Sequence, residues 1–358
     1  MCQLTHHRHS IFCILPPHML SSIAKNGSSE QRSAALQTMA TDATFRALRM
    51  TVQQRGVSNT QYQHATAVEV KKKRTIYDAR NVETLPGTIV LTEGSKLTDD
   101  ITVNEAYEGL GKTFDFFMDV YARNSIDDEG MPLDATVHYG KNYDNAFWNG
   151  QRMVFGDGDG QLFNRFTIAL DVIGHELAHG VTEDEAQLTY MYQSGALNES
   201  MSDVFGSLIK QFSLKQTADK ADWLIGAGLL TSNVNGVALR SMQDPGTAYD
   251  DPVLGKDPQP AHMQDYVRTN RDNGGVHINS GIPNRAFYLL ATQLGGNAWE
   301  KAGLIWYETL RNSNLRPNTG FQRFAGLTSR VASKLFGLNS AEQAAVRNAW
   351  QQVGINVN

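Results

Sequence analysis

Apolar positions along this chain follow two rhythms. Residues 104–123 place Leu110, Phe114, Phe117 and Tyr121 at three- and four-residue steps, which predicts an amphipathic helix. Residues 194–212 repeat the pattern with Met201, Phe205, Leu208, Ile209 and Phe212, and helical periodicity dominates from Asp171 to the C-terminus. Short β-branched or aromatic runs at 74–77, 88–92, 135–139 and 153–155 lie between turn residues and read as strands. Nearer the N-terminus the pattern predicts two short helices, one after Ser28-Ser29 and one after Thr41, the second with Phe45 and Leu48 on one face. From Gln53 to about Thr66 the chain is polar and aperiodic, as an exposed and cleavable linker would be. Gly156-Asp157-Gly158-Asp159-Gly160 lacks the spaced ligands of a calcium loop and reads as a tight turn. No apolar run approaches the roughly 18–20 residues of a membrane span.

Charge divides the chain unevenly. The first sixty residues hold six Lys/Arg and two acids, about +4; the remainder holds 26 basic and 35 acidic residues, about −9. Opposite signs suit two parts that pack on each other, although a loosely ordered basic tail has the same composition. The net charge of −5 argues against nucleic acid as a partner. Lys71-Lys72-Lys73-Arg74 reads as a solvated face at a strand entry. Both cysteines, Cys2 and Cys13, lie in the first twenty residues, so whatever follows folds without disulfides. Ile11 to Leu15 is a short apolar stretch cut off by Pro16-Pro17, not a conventional signal peptide.

The chemistry concentrates in three places. In His175-Glu176-Leu177-Ala178-His179 the two imidazoles are one helical turn apart and share a face, so they can hold one metal ion, with Glu176 beside them as a base that is not a ligand. A catalytic zinc site needs a third protein ligand and an open position for water. Glu199 and Asp203, four apart and opposite the apolar stripe of their helix, supply it: two carboxylates gain nothing together in a core unless a cation neutralises them. Glu199 would bind the metal, and Asp203 would accept a hydrogen bond from the far nitrogen of a ligand histidine. In Asp272-Asn273-Gly274-Gly275-Val276-His277 the glycines permit a turn that returns His277 to a cleft, with Asp272 to orient it. Alone, His277 would be an ordinary structural histidine; beside a metal motif it becomes a candidate catalytic group.

His175-Glu176-x-x-His179 followed by Asn198-Glu199-x-x-x-Asp203 resembles the thermolysin family of zinc metallopeptidases. Residues 274–281 are similar to that family's second signature, and residues 145–150 to its substrate-edge segment; the likeness runs from about Thr75 to Asn358. A short N-terminal segment with Pro16-Pro17-His18-Met19-Leu20 resembles the protealysin branch. The resemblance implies an α+β fold of two lobes, β-rich then helical, with the zinc helix at the junction. It implies residues 1–62 as an inhibitory pro-segment and linker, 63–183 as the N-terminal lobe and 184–358 as the C-terminal lobe.

It also implies roles. His277 and Tyr190 would stabilise the oxyanion, Arg240 would bind a substrate carbonyl, and Asn145 (side chain) and Ala146 (backbone) would pair with an extended peptide. Phe163, Val172 and Leu239 would form the apolar pocket for the side chain after the cut bond, which Phe166 would narrow. The activity implied is cleavage of internal peptide bonds on the N-terminal side of hydrophobic residues, by a monomer that binds peptides or proteins and neither nucleic acid nor membrane. Secretion is implied, with retention inside the cell left open. Many relatives hold two calcium ions beside the zinc helix; here Asp171 and Asp222 match two acids of that site, but Lys210, Leu224 and Ala227 stand where three others are expected, so the double site is expected to be absent. Pro16 to Leu20 would form the plug, with Met19 or Leu20 in the apolar pocket; a rival is Cys13 capping the metal as a thiolate. Two further readings are a catalytically silent peptide-binding protein on the same scaffold and a zinc aminopeptidase.

Overall fold

A computed structural model describes residues 12–54 and 70–357. The side chains of Phe45 and Leu48, and most of the predicted linker, lie outside what is described. A six-stranded sheet forms the first layer, from β1 (Phe12–Cys13), β2 (Arg74–Asp78), β3 (Thr88–Thr92), β4 (Leu133–Val137), β5 (Ala146–Trp148) and β6 (Arg152–Phe155), in the order β1-β5-β6-β4-β2-β3. β2, β4 and β6 run parallel; β3 and β5 are antiparallel to their neighbours. The pairing of β1 with β5 is antiparallel, Phe12 opposite Trp148 and Cys13 opposite Phe147. An N-terminal piece thus completes the sheet at an edge that would otherwise be open.

Ten helices are described. Near the N-terminus are α1 (Pro17–Asn26) and α2 (Ser29–Gln54). The two short helices expected there become one after Ser28-Ser29, because no glycine or proline interrupts residues 29–54. Helix α3 (Ile101–Tyr121) packs on the sheet with Leu110, Phe114 and Phe117 buried. Asp100 caps its start by accepting from the amides of Thr102 and Val103, and Ala122 ends it in a left-handed conformation at φ 53°. Then come α4 (Leu170–Glu185), α5 (Tyr192–Leu214), α6 (Asp272–Asn279), α7 (Gly281–Leu294), α8 (Lys301–Leu310), α9 (Phe321–Phe336) and α10 (Ala341–Gln352). Trp306 of α8 and Trp350 of α10 stack at 5.9 Å in the helical region. Among the described residues no helix is long and apolar enough to cross a membrane.

Helices α4 and α5 position the site. Every side chain from Asp171 to His179 is buried, so α4 has no solvent face over two turns. The two helices approach closely where Gly174 meets Gly206: a Cβ on Gly206 would lie 2.4 Å from the Asp171 carbonyl oxygen. Glu199 lies about two turns ahead of Gly206 on α5, and this approach brings its carboxylate between the two histidines of α4.

Candidate active site

His175, His179 and Glu199 converge with their ligating atoms within 4.8 Å of one another, the one such group of three or more among the described residues. The Nε2 atoms of the histidines face each other at 3.0 Å, and Glu199 Oε2 and Oε1 lie 3.5 and 3.6 Å from them. Each imidazole is oriented through its other nitrogen: His175 Nδ1 lies 2.8 Å from Asp203 Oδ1, and His179 Nδ1 lies 2.7 Å from Asn198 Oδ1. Fixing Nδ1 in this way turns both Nε2 lone pairs toward a common point. Glu199 is 1% exposed, and its Oε2 receives no hydrogen bond. A buried carboxylate oxygen without a donor is costly, and a divalent cation between two imidazoles and a carboxylate meets that need, so the donor set fits zinc.

Asp203 collects a dense set of donors. Besides His175, it accepts from Arg240 Nε and Nη2 at 2.8 and 2.7 Å and from Asn284 Nδ2 at 2.8 Å. Burial opposes its charge, but Arg240 and His175 prevail and hold its carboxyl far below the usual range. Glu176 lies beside the ligands, and its Oε2 accepts from the Trp148 amide at 3.0 Å. His277 arrives from the turn the glycines permit: residues 272–275 all have positive φ, with Gly274 at 86° and Gly275 at 78°. Asp272 holds His277 twice, through Nδ1 at 2.6 Å and through the backbone amide at 2.9 Å. The Tyr190 hydroxyl donates to Glu199 Oε1 and lies 3.2 Å from His277 Nε2. Phe163, Val172, Phe166 and Leu239 are all buried in the main apolar cluster, with the rings of Phe163 and Phe166 5.9 Å apart.

The N-terminal segment occupies the groove beside these groups. The Ile14 amide donates to the Ala146 carbonyl at 3.1 Å, and the Leu15 amide donates to Asn145 Oδ1 at 3.0 Å. Arg240 Nη1 donates to the Ile14 carbonyl at 3.1 Å, and His277 Nε2 lies 3.2 Å from the Cys13 carbonyl oxygen. The contacts expected of Asn145, Ala146, Arg240 and His277 toward a peptide are therefore made by residues 13–15. This corrects the expected plug: Pro16 is extended, but Pro17 opens α1, so His18, Met19 and Leu20 are helical rather than strung along the groove. Met19 and Leu20 are fully buried, and His18 bonds the Tyr249 hydroxyl at 3.0 Å, burial pushing its pKa down to about 4. The thiolate rival is corrected too. The Cys13 side chain packs with Tyr139, Tyr143, Phe147 and Val154, while its carbonyl is turned to His277. Strand geometry accounts for this, since the carbonyl lies near the plane of the sheet while the side chain stands out of it.

Three contributors were missed in the sequence. Asp42 of α2 accepts from the Tyr143 hydroxyl and from Asn145 Nδ2, both at 2.8 Å, and so aims the Asn145 carbonyl oxygen at Leu15. Its signal was its rarity, one of two acids in the first sixty residues. Asn198, adjacent to Glu199, orients His179. Of residues 13–15, the sequence singles out the Cys13 thiol alone; the main chain of this apolar stretch, which carries the contacts, has no side-chain signal. Among the described residues, apolar burial carries the docking of this piece. Lys25 and Arg32 are exposed, while Ile14, Leu15, Met19, Leu20 and Ile23 are buried at about 1.5–3 kcal/mol each, more than exposed charges contribute.

Beside the same helix pair, Lys210 Nζ lies between Asp171 Oδ2 at 2.7 Å and Asp222 Oδ1 at 2.8 Å and donates to the Leu224 carbonyl at 2.8 Å.

A family model for the thermolysin metallopeptidase catalytic domain matches residues 25–183, and one for its alpha-helical domain matches residues 186–355. An extracellular metalloprotease of Pectobacterium carotovorum subsp. carotovorum is 54% identical over 349 residues, 97% of this chain and 97% of that protein. Protease PrtS of Photorhabdus sp. (strain Az29) is 50% identical over 346 residues, 96% of this chain and 92% of that protein. The solved precursor of protealysin, a metalloproteinase from Serratia proteamaculans, matches with a TM-score of 0.87 at 56% identity, covering 96% of this chain and 99% of that one.

Proposed function

This chain belongs to the thermolysin family of metallopeptidases, and from that premise we propose a zinc endopeptidase held silent by its own N-terminal segment. The observation that carries the reading is the register of residues 13–15, whose main chain engages Asn145, Ala146, Arg240 and His277 as a peptide substrate would. His175, His179 and Glu199 hold the ion. When bound, it supplies Lewis-acid polarisation of the peptide carbonyl and lowers the pKa of the attacking water. Glu176 takes a proton from that water and passes one to the leaving amine; the Trp148 amide fixes the carboxylate for both steps. His277, oriented by Asp272, donates to the carbonyl oxygen as charge develops there, and Tyr190 stands beside it as the second donor. Asp203 and Asn198 keep the two ligand imidazoles aimed. Arg240 binds the next carbonyl while anchored on Asp203, and Asn145 and Ala146 hold the strand.

The pocket of Phe163, Val172 and Leu239, narrowed by Phe166, receives the side chain after the cut bond and favours hydrophobic residues there. The regions are residues 1–62 as pro-segment and linker, 63–183 as the β-rich lobe and 184–358 as the helical lobe. The working form is a monomer; its release outside the cell is supported by the name of the Pectobacterium relative. Lys210 neutralises Asp171 and Asp222 in place of the double calcium site. The test adds a trace of active enzyme to purified Glu176→Ala precursor. Cleavage between Gln53 and Lys71, with activity of the wild-type chain rising as the N-terminal piece leaves, is the expected result. A full-length chain already as active on an N-blocked peptide as the trimmed form would refute the inhibitory role.

A further inference from the structure

Polarity separates a plug that resists cleavage from one that invites it. Here β1 runs antiparallel to β5, and the four main-chain groups from the Cys13 carbonyl to the Leu15 amide meet partners proposed above for a substrate. The Cys13 carbonyl faces His277 Nε2 at 3.2 Å, and the next amide, of Ile14, donates to Ala146 at 3.1 Å. The Ile14 carbonyl accepts from Arg240, and the Leu15 amide donates to Asn145. In that register the Cys13–Ile14 bond lies where a substrate's bond is cut. The Ile14 side chain is fully buried in the same apolar cluster as Phe163, Val172 and Leu239, and it is the kind of residue the pocket favours after the cut. β1 also packs against α4, which carries Glu176.

We propose that the Cys13–Ile14 peptide bond is a second self-cleavage site, cut in cis by the molecule's own centre and distinct from any cut between residues 53 and 71. The inference rests on the function proposed above. Water adds to the Cys13 carbonyl carbon, the bond to the Ile14 nitrogen breaks, and Glu176 carries the proton from the water to that nitrogen. Cys13 leaves as a carboxylate and Ile14 becomes a new amino terminus beside the Ala146 carbonyl. The cut does not free the groove. Residues 14–54 remain anchored through α1 and α2, with Leu20 and Ile23 buried, Ser22 Oγ bonded to the Val253 carbonyl and Asp42 bonded to Asn145 and Tyr143. The nicked segment is then a bound product, and release awaits the linker.

The experiment follows intact mass and N-terminal sequence of the zinc-loaded full-length chain, with an N-blocked peptide assay in parallel. A pro-segment beginning at Ile14 is expected, formed with a rate constant unchanged by tenfold dilution. Glu176→Ala should keep the bond intact even when active enzyme is added in trans and cuts the linker. Ile14→Leu should be cut, and Ile14→Asp should be cut about tenfold or more slowly. Register has its own readout, independent of turnover. In Glu176→Ala the Ile14 and Leu15 amides should be protected from hydrogen exchange, and adding Asn145→Ala should expose Leu15 selectively. An intact Cys13–Ile14 bond while the linker and the peptide are both cut would overturn the second site and leave the endopeptidase standing. Failure to cut any of the three would take both down. Cleavage in trans, or unprotected Ile14 and Leu15 amides, would overturn the cis geometry.

Discussion

The helix pair α4–α5 neutralises buried carboxylates at two places by different means. Near His175, Glu199 lies among imidazoles and keeps an oxygen without a hydrogen bond. Four residues earlier on α4, Asp171 is equally buried but bonds the ammonium of Lys210, which reaches it from α5. One end needs a cation from outside; the other has its cation in the chain. The need at the first end serves chemistry, because a bound ion can take a substrate oxygen and an ammonium sealed between carboxylates cannot. Away from the pair, a third arrangement depends on pH: partly buried His138 bridges Asp157 and Asp100, each at 2.9 Å.

The largest expected effect tests the end that needs an ion. Stripping zinc from the trimmed enzyme should lower turnover on an N-blocked peptide roughly 10³-fold or more, since the ion's contribution is several kcal/mol, and stoichiometric zinc should restore it. A calcium-selective chelator should leave both activity and melting temperature unchanged; a large fall with zinc still bound would break the contrast between the two ends.

Next, Glu176→Gln separates holding the ion from using it. Zinc content measured by atomic absorption should stay at one per chain, while kcat falls by about 10²–10⁴. Near-normal turnover would remove Glu176 as the base.

A smaller loss, in stability, is expected from Lys210→Met. It leaves Asp171 uncompensated and should cost about 3 kcal/mol in chemical denaturation. Lys210→Glu should be similarly unstable in chelator and regain part of the loss in millimolar calcium. If Lys210→Met is neutral, the ammonium does not replace a cation there.

The smallest effect concerns His138, whose pKa Asp157 and Asp100 raise to about 9 against the opposing effect of burial. A raised folded pKa stabilises fully below the unfolded value of about 6.5 and loses that contribution as pH climbs through about 9. Solvent screening at this partly buried site reduces the effect to about 1 kcal/mol. The denaturation midpoint of wild type should therefore fall between pH 6.5 and 9 more than that of His138→Gln; equal slopes would remove the ion pair from the account.

What the chain carries locally was legible from its letters. The spacing of His175 and His179, the face shared by Glu199 and Asp203, and the glycines before His277 each express chemistry within a few residues, where helix period and backbone freedom decide the outcome. Lys210 stood out because its charge is wrong for a calcium ligand. What needed the tertiary structure was register and partnership across long separations. Nothing in Phe12-Cys13 says that its main chain adds a strand to β5, since a two-residue strand has no period to detect and main-chain hydrogen bonds leave no side-chain mark. Asp42 acquires its meaning from Asn145 and Tyr143, about a hundred residues away. Pro16-Pro17 looked like the plug because proline constrains its own backbone, but where an extended segment ends and a helix begins is set by the cleft it lies in, and here Cys13 to Leu15 lie along the groove while Pro17 turns the chain into α1.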